Sequence, residues 1–129
     1  MNNNEPKFYS CSECGIIIEK IRGNKEDFLC DNTPLKRLEP NTSDGAEEKH
    51  VPVVEQNDNK VTVKVGSISH PMTQEHNIEW IYLQTEKGCQ KVNLKSNEEP
   101  VAVFLLSDGD KAVAAYSYCN LHGFWKKEI

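Results

Sequence analysis

The chain has 129 residues, enough for one ordinary domain and a small appendage. Its net charge of −5 argues against a nucleic-acid partner, and no apolar run approaches the ~20 residues that span a bilayer, so no membrane partner is expected. The opening stretch Met1 to Lys7 lacks an apolar signal-peptide core, which makes the cytoplasm the expected location, and an odd set of five cysteines favours thiolate ligands over a disulfide framework.

Residues 1–38 read as a small β module. Phe8-Tyr9-Ser10 leads into Cys11-Ser12-Glu13-Cys14-Gly15, and the β-branched run from Ile16 to Ile18 predicts a strand. Cys30 follows, then a turn at Thr33-Pro34. A module this short buries little apolar surface, so a metal, a partner or the main domain must hold it. Residues 39–49 are rich in small polar residues, glycine and proline without periodicity, and read as a linker and loop.

From His50 to Ile129 the pattern is β. Val61, Val63 and Val65 alternate with polar residues, a half-buried strand. Ile78, Trp80 and Tyr82 are expected on one face of a second strand, with Ile81 and Leu83 on the other. Val101 to Leu106 is apolar throughout, the pattern of a central strand, and Ala112 to Tyr118 is a further strand that delivers Cys119 to the loop at its end. Turns are expected at Asn57-Asp58-Asn59, Lys87-Gly88 and Asp108-Gly109-Asp110. The sum is an all-β chain: an antiparallel β-sandwich over residues 50–129, preceded by the small β module.

The chemistry lies in three clusters: Glu48-Lys49-His50-Val51-Pro52, His70-Pro71-Met72 running on to His76, and Cys119-Asn120-Leu121-His122-Gly123. They hold all four histidines. One thiolate and four imidazoles overfill a structural zinc site, which closes at four ligands, whereas iron accepts five and keeps a position open. On Fe(II) that set leaves a net charge of about +1, which favours a small anion at the open position. Cys119 and His122 are spaced so that one tight loop aims both at one metal. Lys49, beside His50, places a positive charge over the site, and Glu48 offers a weak carboxylate ligand. Each residue alone reads more plainly: a lone histidine as a surface or hydrogen-bonded group, Lys49 and Glu48 as solvated loop charges, Trp80 and Trp125 as core or site wall, and Cys89 as a free thiol. The competing class is a cupredoxin-like electron carrier, which wants a weak axial Met after its cysteine loop, and no Met follows Cys119. A non-catalytic zinc module leaves Lys49 and the extra histidines without a role.

Three motifs in this order, Glu48-Lys49-His50-Val51-Pro52, His70-Pro71-Met72-x3-His76-x3-Trp80 and Tyr118-Cys119-Asn120-x-His122-Gly123-x-Trp125, resemble the superoxide reductases of the two-domain desulfoferrodoxin type. The resemblance implies an immunoglobulin-like sandwich, a desulforedoxin- or rubredoxin-like N-terminal module, and a non-haem iron centre. It implies His50, His70, His76 and His122 as equatorial ligands and Cys119 as the axial one, with Lys49 attracting the anion and Glu48 capping the oxidised metal. It further implies one-electron reduction of superoxide to hydrogen peroxide without oxygen release, a rubredoxin-like electron donor and a homodimer. The same family holds a second iron with four N-terminal cysteines. Here Cys11, Cys14 and Cys30 match, but Asp31 stands where the fourth is expected. Three readings stay open for that site: empty and structural, a Cys3Asp site holding iron or zinc, or a disulfide formed on exposure to air.

Overall fold

A computed structural model describes residues 5–129 of the chain. They form two compact units, Glu5–Glu39 and Pro40–Ile129. The first four residues of the module expected at 1–38 lie outside the described residues.

The smaller unit contains β1 (Phe8–Ser10), β2 (Ile17–Glu19), β3 (Leu29–Cys30), β4 (Thr33–Pro34) and β5 (Lys36–Arg37). β1 is the middle strand, antiparallel to β2 and to β5, and β3 and β4 form a separate hairpin. The turn between β3 and β4 starts at Asp31, whose φ of 53° lies in the left-handed region that Asp tolerates better than most residues. The unit's buried hydrophobic side chains are few: Phe8, Tyr9 and Cys11. Short strands and so small a core agree with the expectation that local apolar burial is insufficient here.

The larger unit opens with a single helical turn, α1 (Glu47–His50), and continues as β6 (Pro52–Asn57), β7 (Lys60–Val65), β8 (Ile78–Thr85), β9 (Cys89–Asn93), β10 (Val101–Leu105), β11 (Ala112–Cys119) and β12 (Gly123–Glu128). One sheet has the order β10-β7-β6 and the other β12-β11-β8-β9, with every neighbouring pair antiparallel. Val61, Val63 and Val65 of β7 and Phe104 of β10 pack against Ile81 and Leu83 of β8 and Ala115 of β11, which makes the interior of the sandwich. No helix among the described residues is long and apolar enough to cross a membrane.

Three local expectations change. The stretch read as linker contains α1, which is too short to show a helical period. Within that one turn the acidic Glu47 and Glu48 come first and the basic Lys49 follows, the order that the helix dipole favours. Ile78 joins Ile81 and Leu83 in the core instead of sharing a face with Trp80 and Tyr82. The pairing of β8 with β11 shifts register between Tyr118 and Cys119, and such an irregularity breaks strict alternation. β10 is an edge strand with one buried face: Ala102 and Phe104 point inward, while Val103 and Leu105 are 50% and 63% exposed.

Candidate metal centre

The sheet topology brings the three sequence clusters to one end of the sandwich. His50 closes α1 immediately before β6, whose start pairs with the end of β7, and the chain leaving β7 turns into His70. His76 lies just before β8, whose first residue pairs with Cys119 at the end of β11. Cys119 also pairs with Gly123, so Asn120, Leu121 and His122 form a tight three-residue loop into β12. Gly123, at φ +81°, supplies the left-handed position that closes such a loop.

One ligand atom from each of His50, His70, His76, Cys119 and His122 lies within 4.8 Å of all the others. His50 and His70 are buried and His76 and His122 are half-buried, so the group opens to solvent on the His76 and His122 side. Tautomers fix what the nitrogens offer. His50 Nδ1 is 2.7 Å from the Ala46 carbonyl and His70 Nδ1 is 2.7 Å from the Pro71 carbonyl, so both Nδ1 atoms carry the proton and donate it. Their Nε2 atoms then present lone pairs, yet they sit 3.1 Å apart. His50 Nε2 is also 3.0 Å from His122 Nδ1, and His76 Nε2 is buried without a hydrogen-bond partner. Lone pairs crowded together repel one another unless a cation lies among them, and this crowding is what a bound metal resolves.

Electrostatics point the same way. Burial lowers the pKa of His50, His70 and His76, and the His70 value falls to about 4. Neutral imidazole is the form that binds metal. The Lys49 ammonium lowers His50 and His76 further, so its charge is felt at the site although its side chain is exposed. Burial pushes the Cys119 thiol up, and the N–H groups of Leu121 and His122 pull it back towards thiolate. These are the hydrogen bonds by which the loop tunes the sulfur.

Surrounding residues lock the rings. Trp125 stacks on His50 at 4.9 Å and donates its indole N–H to the His122 carbonyl at 3.1 Å. Ser117 donates to the His50 carbonyl at 3.1 Å. A Cβ on Gly45 would come within 3.1 Å of the His50 ring and 3.3 Å of Trp125, a tight fit, and its φ of +154° favours glycine. Asn120 is a residue that sequence reasoning left without a role. Its side chain accepts from the Asn77 N–H at 2.9 Å and donates to the Glu75 carbonyl at 2.9 Å, clamping the cysteine loop to the residues on both sides of His76. The only signal for it was its position between Cys119 and His122. The Glu48 carboxylate is not among the converging atoms. Glu48 is exposed and lines a surface hollow with Val51, Val53, Ser67 and Lys127.

In the smaller unit, Cys11, Cys14 and Cys30 bring their sulfurs together, and the Asp31 carboxylate does not join them. The N–H of Cys14 reaches the Cys11 sulfur at 3.5 Å, and this contact leads the causes that lower the Cys11 thiol pKa. Cys30 is pushed up to about 12, first by its hydrogen bond with Cys14 and then by burial. Cys89 is an exposed free thiol on β9.

Comparison with known proteins agrees with this geometry. Residues 42–128 match the family model described as Desulfoferrodoxin. The chain is 45% identical over 125 residues to a desulfoferrodoxin of Nitratidesulfovibrio vulgaris, covering 97% of this chain and 98% of that one. The crystal structure of the superoxide reductase from Treponema pallidum superposes with a TM-score of 0.82 at 37% identity, covering 96% of this chain and 99% of the other. A superoxide reductase (1Fe-SOR) from Giardia intestinalis covers 64% of this chain and 97% of its own length, with a TM-score of 0.53 at 36% identity.

Proposed function

Since this chain belongs to the desulfoferrodoxin family, we infer that it reduces superoxide to hydrogen peroxide by one electron, at iron, without releasing oxygen. The observation that carries this reading is the set of four imidazole nitrogens and one sulfur within 4.8 Å, two of whose lone-pair nitrogens face each other at 3.1 Å. His50, His70, His76 and His122 would hold the iron through nitrogen and Cys119 through its thiolate. When bound, iron supplies the single electron. The chain's own residues do the rest. Lys49 draws the anion against an overall charge of −5, because a nearby ammonium outweighs distant charges that solvent screens. Lys49 would also hold a proton close to the half-buried side of the site, and the reduction of superoxide to hydrogen peroxide takes up two protons. The N–H groups of Leu121 and His122 favour the thiolate form of Cys119 against the burial that raises its pKa. Glu48, one residue before Lys49, closes the site when no substrate is present. That role requires its carboxylate to swing inward from the surface hollow it lines.

Residues 40–129 act as the iron-binding domain and the cysteine-bearing unit as an appended module. The electron donor is a rubredoxin-like protein, the working form is a homodimer, and the location is cytoplasmic. Support for the dimer is the apolar strip of Val103 and Leu105 on edge strand β10. The electron-carrier alternative is not favoured, because its copper would leave two of the four converged histidines unused.

Anaerobic mixing of the reduced, iron-loaded chain with a superoxide pulse tests the activity. One peroxide per superoxide consumed, with no oxygen evolved, is expected. Oxygen evolved in the ratio of a dismutation, or superoxide decaying at its uncatalysed rate, overturns the reading.

A further inference from the structure

Superoxide reduction leaves the three thiols of the smaller unit without a task. Their geometry departs from that of a tetrahedral thiolate site. Only three sulfurs converge, and the Asp31 carboxylate, on a left-handed turn residue, is not with them. The Cys14 and Cys30 sulfurs are 3.2 Å apart. Ligands on a tetrahedral metal with bonds of ~2.3 Å sit about 3.8 Å from each other, and this pair lies closer than that. It is about 1.2 Å from the length of a sulfur–sulfur bond. Access is graded: Cys14 is exposed, Cys30 partly exposed and Cys11 buried. The pair also joins the loop after β1 to the end of β3, in a unit whose buried hydrophobic side chains are Phe8, Tyr9 and Cys11. A covalent staple there adds what the core does not supply.

We propose that Cys14 and Cys30 are a peroxide-oxidised dithiol, with Cys14 the attacking sulfur and Cys30 the resolving one. The oxidant is the product of the reaction assigned above. The Cys14 sulfur, as thiolate, displaces hydroxide from hydrogen peroxide: the O–O bond breaks, an S–O bond forms, and the hydroxide takes the thiol proton to become water. The Cys30 sulfur then displaces the hydroxyl group of that sulfenic acid, forming the S–S bond, and its proton leaves with the hydroxyl as a second water. Two thiols and one peroxide become one disulfide and two waters. The sulfurs lose the two electrons that reduce the O–O bond. Cys11, buried beside the pair, stays a thiol.

The source of the oxidant rests on the superoxide-reducing reading, but added peroxide tests the site without it. The full-length, iron-loaded protein is reduced, freed of reductant and treated anaerobically with one equivalent of hydrogen peroxide. Free thiols are then alkylated and the protein is mapped by mass spectrometry without reduction. The expected product has lost two alkylatable thiols, carries a Cys14–Cys30 linked peptide, and recovers both thiols with dithiothreitol. In Cys30→Ser, dimedone should trap a sulfenic acid at Cys14, and no linked peptide should form. A bridge through Cys11 or Cys89, over-oxidation of Cys14 in the unsubstituted protein, unchanged thiols, or one equivalent of metal that blocks alkylation of all three sulfurs would each overturn the proposal. The unsubstituted protein decides the question even if Cys30→Ser does not fold. If added peroxide forms the bridge but a superoxide pulse does not, the failure lies with the superoxide reading and not with the dithiol.

Discussion

Lys49 is the residue to which the proposed function gives a part in substrate capture, although it does not ligate the metal. It sits in α1 beside His50, it is exposed, and its charge still lowers the pKa of both His50 and His76. On the function proposed above, an incoming anion would meet that charge before it met the metal. Lys49→Ile should therefore slow superoxide capture about tenfold, within the range of electrostatic steering. The remaining rate should respond less to added salt. Iron content should not change, because the five converging ligand atoms are untouched. Pulse radiolysis at two ionic strengths, with iron assayed on the same sample, checks both statements; loss of iron would mean that Lys49 supports the ligands instead of the substrate. The sequence singles out Lys49 only because it is the direct neighbour of a histidine. Glu48 is singled out in the same way, but adjacency says nothing of direction, and its carboxylate lies outside the converging group.

Elements carry what adjacency does not. The sequence showed alternation in β7 and turns at Asp58 and Gly109, since period and turn chemistry are local. It did not show that β10 is an edge strand or that β8 breaks its alternation near Glu79, because neighbour order and register depend on partners far away in the chain. Asn120 was missed for the same reason: its partners are in a loop more than forty residues earlier. Asn120→Ala should free the cysteine loop from the His76 loop, with a loss of about 1–2 kcal/mol in stability of the iron-free protein. Urea unfolding measures that loss. Faster iron release to a chelator, partly restored in Asn120→Asp, which keeps the acceptor towards the Asn77 N–H, would separate a clamp from general destabilisation. In the smaller unit, Tyr9 donates to Glu26 at 2.9 Å, and Lys20 and Arg37 lie 3.8 and 3.5 Å from the same carboxylate. The Tyr9 bond leads the causes that hold Glu26 below its ordinary 4.5. Such a carboxylate binds fewer protons folded than unfolded. Its contribution is therefore present above the ordinary value and is lost as pH falls through the lower folded value. Amide exchange in β1 should lose protection over that acid range, and Glu26→Gln should remove the dependence while lowering protection near neutrality. Identical pH profiles for the two proteins would refute the role given to Glu26.

For the whole molecule the question is which part of the chain the chemistry needs. Every atom of the converging group lies in Pro40–Ile129, and so do the residues that lock it: Gly45, Ser117, Asn120 and Trp125. The core that positions the ligand loops is likewise built from β7, β8, β10 and β11. The sequence changes pattern along its length, from cysteine-bearing short strands to longer alternating ones, with a polar stretch between. The sequence named the five ligands as one centre, but it could not supply the route by which they meet, since the three clusters are brought to one end of the sandwich by antiparallel pairings between distant strands. If the ligand set depends on those pairings alone, a chain of residues 40–129 should fold, bind one iron and react with superoxide at a rate within a factor of about two of the full chain. That margin is under 0.5 kcal/mol, the size of effect expected between sites that share no contacts. The truncated chain should also lose all peroxide-induced disulfide formation, because Cys14 and Cys30 go with the removed unit. Metal analysis, circular dichroism and the superoxide pulse measure the three properties separately. A truncated chain that folds yet cannot hold iron would show that the smaller unit belongs to the metal centre, and the two-part division of labour would fall.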